Sequence, residues 1–442
     1  MHSTTTIGEF RTLSVEHAPI GEQGPRRTGQ ADGPSLTGEA ATIGPVGKAP
    51  VVRIADIFAA ASDYLATHSL APAVAGAFRA IRACRTAELG GHVARCENGH
   101  VVRAWYNACR HRSCPRCSFH RVQKWLERQV KTLLGCAHHH IIFTVPHELN
   151  ALWLGNYVLL GELLFAAARD ALFELAADPR HLGAKPGVIM SLHTWGQQLP
   201  LHPHVHCLVT AGGVDREWRW VPSRRRGLLP AEPLKQLFRG KFLYGLRGLA
   251  TARRLRLPAD WDVDKAKALC LALEHKRWNV HILDRYKNPS GVLNYLGRYL
   301  HGGPIGESRL VSFDGETVTF RYRDYRDKGP EGPRQKLMSL ARDEFVRRFL
   351  QHVAPTGFHL VRSYGIYRRG GSTEEARRRV RTALPVGPEL HAALCARAAA
   401  AIDESLEVRP DDPRCPQCAA PVHLQIVWRP PRARPPAAQA VA

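Results

Sequence analysis

The sequence predicts an α+β chain in which an apolar sheet is flanked by helices and preceded by a cysteine-rich metal module. Three observations predict it. Short Val-, Ile- and aromatic-rich segments, HHHIIFTVP (138–146), GVIMSLHTWG (187–196) and PHVHCLVTAGG (203–213), read as strands bounded by Gly or Pro. Longer stretches repeat apolar residues at helical spacing. Five cysteines, Cys84, Cys96, Cys109, Cys114 and Cys117, fall within 34 residues.

Residues 1–50 are rich in Gly, Thr and Pro and poor in large apolar side chains, so disorder is expected there. Val51–Arg82 carries Ile54, Ile57, Phe58, Tyr64 and Leu65 at helical spacing, and with the cysteine cluster it makes up a module ending near 123. A strand-bearing domain follows over 124–330. Within it Val122–Leu134 runs in as a helix. Tyr157–Ala177 is the longest apolar run, but Glu162, Arg169, Asp170 and Glu174 mark it as an amphipathic helix of a globular fold, not a membrane span. A basic helical stretch, 231–257, carries Arg239, Lys241, Arg247, Arg253, Arg254 and Arg256 inside an insertion over about 221–285. GVLNYLGRYL (291–300) reads as a helix, and 309–322 as a hairpin turning at Asp314-Gly315. Residues 331–404 read as mainly helical and 405–425 as a candidate zinc knuckle. The Pro/Ala-rich tail, 426–442, is expected to be disordered. No internal repeat is evident.

Lys and Arg total 62 against 39 Asp and Glu, a net charge of +23. That imbalance points to a polyanionic partner, nucleic acid before membrane surface. The opening MHSTTTIGEF has no apolar signal region, so a cytoplasmic location is expected. Without a secretory signal, an odd total of eleven cysteines, five of them clustered, argues for metal over disulfides. Gly44…Lys48-Ala49 departs from the phosphate-loop pattern, so no ATP site is expected.

Thiolates and imidazoles at short spacing suit tetrahedral zinc. Cys114-x2-Cys117 is a knuckle, and Cys96-x3-His100 supplies a partner pair. Cys84, His92, Cys109 and His111 are candidates for a second ion, so one or two zinc ions remain open. Cys415-x2-Cys418 with His423 is a weaker knuckle with no fourth ligand nearby in sequence. The interleaved Arg103, Arg110, Arg112, Arg116 and Arg121 point to phosphate contact.

Alternate residues of a strand share a face, so His204 and His206 project together as a platform for a divalent cation. His193 on the preceding strand has the parity of a third ligand; Gln197 and His202 compete for the role. Tyr295 and Tyr299, four apart, share one helix face beside Val292, Leu293, Leu296 and Leu300. Taken alone, they read as tyrosines bordering a core.

The order of these segments resembles the HUH endonuclease superfamily and, within it, the two-tyrosine rolling-circle transposases of the IS91 group of bacterial insertion sequences. The resemblance rests on YNACRHRSCPRC (106–117), IIFTVP (141–146), HPHVHCLVTAGG (202–213), YLGRYL (295–300), VTFRYRDY (318–325), EFVRRFLQHVAPTGFHLVRSYG (344–365) and CPQC (415–418), and it spans roughly 55–425. His100, in CENGH (96–100), stands where many relatives carry a cysteine. The resemblance implies an antiparallel-sheet HUH nuclease core behind a zinc-binding module. It implies Mg²⁺ or Mn²⁺ held by His204, His206 and His193, and Tyr295 and Tyr299 as nucleophiles on single-stranded DNA at transposon ends and target. Arg298, between the tyrosines, is a further phosphate candidate. The product would be a 5′-phosphotyrosine, made without ATP or membrane, by a protein that associates with the nucleoid when DNA-bound. A plasmid replication initiator or relaxase of the HUH class, and a non-catalytic zinc-containing DNA-binding protein, are the competing readings.

Overall fold

Strands with one apolar and one half-polar face pair into a sheet covered fully on one side and partly on the other, and this constraint organises the chain. The computed structural model describes residues 52–130, 132–224, 228–286, 303–384 and 414–428. In chain order it contains α1 (Ile54–Ala60), α2 (Tyr64–Thr67), α3 (Pro72–Arg82), β1 (Gly91–Cys96), β2 (Val101–Tyr106), α4 (Pro115–Val130), β3 (His138–Thr144), α5 (Asn150–Trp153) and α6 (Tyr157–Ala177). These are followed by β4 (Lys185–Trp195), β5 (Leu201–Val214), β6 (Trp220–Pro222), α7 (Ala231–Thr251), α8 (Val263–Glu274), β7 (Asn279–Tyr286), β8 (Leu310–Phe313), β9 (Thr317–Gly329) and β10 (Gly332–Ala341). The last elements are α9 (Arg342–Leu350), β11 (Val361–Tyr364), α10 (Gly371–Ala383) and β12 (Val422–Trp428).

The main sheet runs β11-β4-β5-β3-β7 with antiparallel pairing throughout, and β6 caps the end of β5. One face is wholly apolar. Val205, Cys207 and Val209 of β5, Met190 and Leu192 of β4, and Ile141 and Phe143 of β3 pack beneath α6 and α7. Phe143, Phe238, Phe242 and Trp278 interlock there at centroid distances of 4.9–6.3 Å. Truncating one such aromatic to Ala would cost about 3–5 kcal/mol.

Two sequence readings change here. The basic stretch 231–257 is a core helix: α7 buries Leu234, Phe238, Phe242, Leu243, Leu246 and Ala250. Lys241 and Arg247 pair with Glu174 and Glu274. The region 221–285 also supplies β7 to the main sheet, so it is integral to the fold rather than inserted into it. The run His147–Ala177 is long and apolar enough to cross a membrane by length and composition, yet 56% of its most apolar window is buried within the fold. It covers the sheet, as its interrupting charges predict.

Residues 331–404, read as mainly helical, open with a strand. β10 follows β9 in register from Arg334↔Asp324 to Ala341↔Thr317. Alternation across Lys336, Met338 and Leu340 wins over helix propensity because a ready partner strand adjoins it. The predicted turn is present. Gly315 has φ +102, and the Asp314 carboxylate accepts from the backbone N–H of Glu316 and Thr317 at 2.9 and 2.7 Å. A second core gathers α1, α3, β9 and α9 around Phe58, Phe78, Phe320 and Phe349, with Cys84, Cys114 and Cys117 at its rim.

The other face of the main sheet is half covered. Ile189 and Leu208 meet Val122 and Leu126 of α4, Ile366 and Tyr367, and Val380 of α10. The turn at 365–367 lies so close to β4 that a Cβ on Gly365 would fall 1.9 Å from the Pro186 carbonyl oxygen. Gly365 also has φ +59. Buried Tyr367 is held at both ends of its hydroxyl. It accepts from the Leu134 N–H at 3.2 Å and donates to His138 Nε2 at 2.6 Å, because His138 Nδ1–H already donates to the Cys136 carbonyl at 2.9 Å. Tyr367→Phe should therefore lower stability by about 1–3 kcal/mol, leaving a buried N–H and an imidazole nitrogen unpaired. A urea-unfolding midpoint unchanged from wild type would refute this role.

Candidate metal centres

On β5 the period of two separates chemistry from packing. Val205, Cys207 and Val209 enter the apolar core, while His204 and His206 face the half-covered side. Antiparallel pairing sets His193 of β4 directly opposite His204, and Ser191 opposite His206. The three imidazoles are almost fully enclosed, with 6, 8 and 5% of His193, His204 and His206 accessible, and one ring nitrogen from each lies within 4.8 Å of the others. The structure thus brings these three imidazoles together.

Hydrogen bonds orient the pair. The His202 carbonyl can only accept, so His204 Nδ1 donates to it at 2.6 Å and leaves His204 Nε2 with its lone pair. That atom faces His206 Nε2 at 3.0 Å. His206 can meet that lone pair with its own Nε2–H or, as the tautomer that gives Nδ1–H to His140, present a second lone pair that a cation would bridge. Two donors each about 2.1 Å from one ion at a right angle would lie about 3.0 Å apart, so the spacing suits octahedral coordination. Burial drives the pKa of both histidines well below the ordinary value, with the charge of His193 adding to it. Neutral imidazole is the form that ligates metal.

The competitors for the third position are not in the converging set, although the His202 ring lies 5.0 Å from that of His204. His202 is exposed and contributes its backbone, and the Gln197 side chain accepts from the Arg323 N–H at 3.3 Å. His140 is the residue that sequence reading missed. Its Nε2 lies 2.9 Å from His206 Nδ1, and burial lowers its pKa to about 3. The signal was the run His138-His139-His140, whose alternate members share a face of the strand beside β5. A cavity of about 290 Å³ adjoins His193, lined by Ser118, Trp125, Arg128, Ser191 and Trp195. Gly303, three residues beyond the 291–300 segment, lines it too. Tyr295, Arg298 and Tyr299 themselves lie outside the described residues.

The cysteines partition differently from the sequence expectation. Cys114 and Cys117 join Cys84 and Cys109, not Cys96 and His100. Cys84 follows α3, Cys109 follows β2, and Cys114-x2-Cys117 opens α4. Their sulfurs approach at 3.5 Å (Cys84–Cys117), 3.6 Å (Cys109–Cys117) and 3.7 Å (Cys84–Cys114). Zinc–sulfur bonds of 2.3 Å give a tetrahedron edge of about 3.8 Å, so the donor set fits zinc. Hydrogen bonds from the Cys109 and Cys114 thiols hold Cys84 down to about 7.

His92 and His111 belong to neither set. His92 stacks on Trp105, and His111 Nδ1 accepts from the Ser113 N–H at 3.2 Å. Cys96 and His100 meet Cys415 and Cys418 instead. Sequence reading left that knuckle without partners because they lie more than 300 residues away.

The arginine expectation divides as well. Arg112 points inward and donates to the carbonyls of Ala354, Pro355 and Phe358 at 2.6, 2.5 and 2.8 Å, a packing role that takes it away from phosphate. Arg116 pairs with Glu307 at 3.5 Å, and Arg110 is exposed.

A family model described as "Putative transposase" matches residues 187–375, and one described as "Transposase zinc-binding domain" matches residues 57–145. "Putative transposase y4qJ" of Sinorhizobium fredii is 40% identical over 320 residues, which cover 71% of this chain and 79% of that protein. "Transposase for insertion sequence element IS801" of Pseudomonas savastanoi pv. phaseolicola is 32% identical over 307 residues, covering 64% and 67% respectively. No solved structure gives a significant match.

The buried histidines make an acid-sensitive fold. Burial holds His138, His139 and His352 at about 4, against an ordinary value near 6.5. As pH falls, the unfolded chain takes up protons first. Stability should therefore be level above about pH 6.5 and fall between there and about 4. Urea midpoints measured from pH 8 to 4.5 check this, and a midpoint still level at pH 5 would contradict it. His139→Leu, which removes no proposed ligand, should flatten part of the fall.

Proposed function

Because this chain belongs to the IS91 group of transposases that carry an N-terminal zinc-binding domain, we propose that it cleaves and joins single-stranded DNA by HUH chemistry with a tyrosine nucleophile. The observation that carries the reading is the facing pair of Nε2 atoms on His204 and His206, 3.0 Å apart and enclosed, with His193 opposite. A divalent cation bound there, Mg²⁺ or Mn²⁺, would polarise the scissile phosphate as a Lewis acid. The chain's own contribution is orientation. The His202 carbonyl and His140 each hold the outer nitrogen of a ligand ring, so that His204 Nε2 and His206 Nε2 point to one spot.

By resemblance, Tyr295 and Tyr299 supply the nucleophiles. The phenolic oxygen forms a bond to phosphorus as the bond to the 3′ oxygen breaks, leaving a 5′-phosphotyrosine and a free 3′-OH. The phosphoryl bond is conserved, so rejoining to target DNA needs no nucleotide hydrolysis. Gly303, three residues beyond the tyrosine segment, lies against the cavity that His193 lines, which supports this pairing of nucleophile and platform. The four-cysteine set is the zinc centre of the N-terminal domain, and Arg110 and Arg116 are its candidate phosphate contacts. Action on DNA in the bacterial cytoplasm, at the nucleoid, follows from the same reading.

The test is an oligonucleotide carrying the element's terminus, incubated with Mn²⁺ or Mg²⁺ and resolved under denaturing conditions. Wild type should yield a covalent protein–DNA adduct, and its absence would overturn the proposal. His204→Ala with His206→Ala, and Tyr295→Phe with Tyr299→Phe, should each remove the adduct while largely sparing DNA binding. His140→Leu should lower the rate about 10- to 100-fold and raise the Mn²⁺ concentration needed for half-maximal cleavage. His140→Gln keeps an acceptor for His206 Nδ1–H and should recover part of both. An unchanged Mn²⁺ requirement in His140→Leu would exclude the positioning role.

A further inference from the structure

We propose that Cys96, His100, Cys415 and Cys418 form a second zinc site, distinct from the four-cysteine set, which closes only when the C-terminal strand docks on the N-terminal hairpin. All four donor atoms lie within 4.8 Å of one another. Cys96 Sγ is 3.5 Å from His100 Nδ1 and 3.7 Å from Cys418 Sγ, and Cys415 Sγ is 3.7 Å from His100 Nδ1. These separations match the edges of a tetrahedron around zinc, about 3.8 Å between sulfurs and slightly less between sulfur and nitrogen. Three thiolates and one imidazole form a closed ligand set with no position left for water, which marks a structural ion.

The backbone shapes both halves for this purpose. Cys96 N–H donates to the His100 carbonyl at 3.1 Å and Gly99 N–H to the Cys96 carbonyl at 2.9 Å, with Gly99 at φ +83. On the other half, Cys415 N–H donates to Ala420 and Ala419 N–H to Cys415, with Ala419 at φ +55. Two tight turns therefore present their side chains toward a common point. Neither half is complete alone, since each provides two donors.

Strand pairing brings the halves together. β12 runs antiparallel to β1 from Gly91↔Trp428 to Cys96↔Val422 and covers the edge that the β1–β2 hairpin would otherwise expose. Glu97 N–H donates to the Pro421 carbonyl at 3.3 Å beside the site. His423, the sequence candidate for this knuckle, turns instead to the Glu97 carboxylate at 3.4 Å. Cys96 and Cys418 are 322 residues apart, so the ion would clip together two ends of the described chain with the whole main sheet between them. The bound species is a zinc ion, held by a surface that exists only in the docked form.

The inference rests on the zinc reading of the N-terminal module, and metal counting separates the two. Full-length protein purified without chelator should hold two zinc ions per chain by elemental analysis. One ion in wild type overturns this inference alone, and none overturns both readings. Cys415→Ser with Cys418→Ser should drop the count to one, as should Cys96→Ser, whereas His423→Ala should keep two. Two ions retained in the Cys415/Cys418 double variant would overturn the proposal. In Cys96→Ser, N-ethylmaleimide mapping should find Cys415 and Cys418 newly reactive while Cys84, Cys109, Cys114 and Cys117 stay protected. Should all six react, the variant is unfolded and Cys418→His decides, since it exchanges the thiolate for another zinc donor. Two ions in that variant support the site, and one overturns it.

Discussion

β5 is hydrogen-bonded on both edges, and its two faces meet opposite environments. Val205, Cys207 and Val209 are held in an apolar layer under α6 and α7. That burial fixes the register, because a slip of one residue would drive His204 and His206 into hydrocarbon and Val205 out of it. With the register fixed, the histidines have one place to go. The same pairing sets His193 across from His204 and places β3 close enough for His140 to reach His206. The candidate cation site is therefore a consequence of core packing on the other side of one strand.

Charge is distributed by a similar logic. A net +23 invites the picture of a uniformly basic surface, but the structure assigns many cations to internal work. Arg112 ties three carbonyls of the 354–358 segment, Arg377 donates to the carbonyls of Ile366 and Arg368, and Arg362 joins Glu162 over Phe165. Long cationic side chains suit this role because they carry several donors to a segment with few regular partners. These guanidinium groups keep their charge but are turned away from direct phosphate contact, which falls to exposed side chains such as Arg110.

The metal sets show why some elements were readable in advance. Strand alternation over 203–213, the Asp314-Gly315 turn and the helix 157–177 depend on neighbours a few residues away, and all three are present. The reading failed at β10, whose conformation depends on β9 as a partner; at 231–257 it found the helix but not the apolar stripe that the basic composition masked. It also failed on the division of the cysteines. Spacing identified Cys114 and Cys117 as a pair, but Cys84, Cys109, Cys96 and His100 were chemically interchangeable as their partners.

By itself the sequence determined the same-face placement of His204 and His206, the knuckles at 114–117 and 415–418, and a chain rich enough in apolar strands and helices to bury a sheet. These follow from backbone periodicity and covalent spacing, which are local. Only the tertiary structure decided that His193 and not His202 joins the converging nitrogens, that His140 stands behind His206, and that Cys96 and His100 converge with Cys415 and Cys418. Each of those outcomes depends on which strands lie side by side and in what register. That choice is made by burying one face of every strand at once, a condition set by the whole fold and not by any stretch of it.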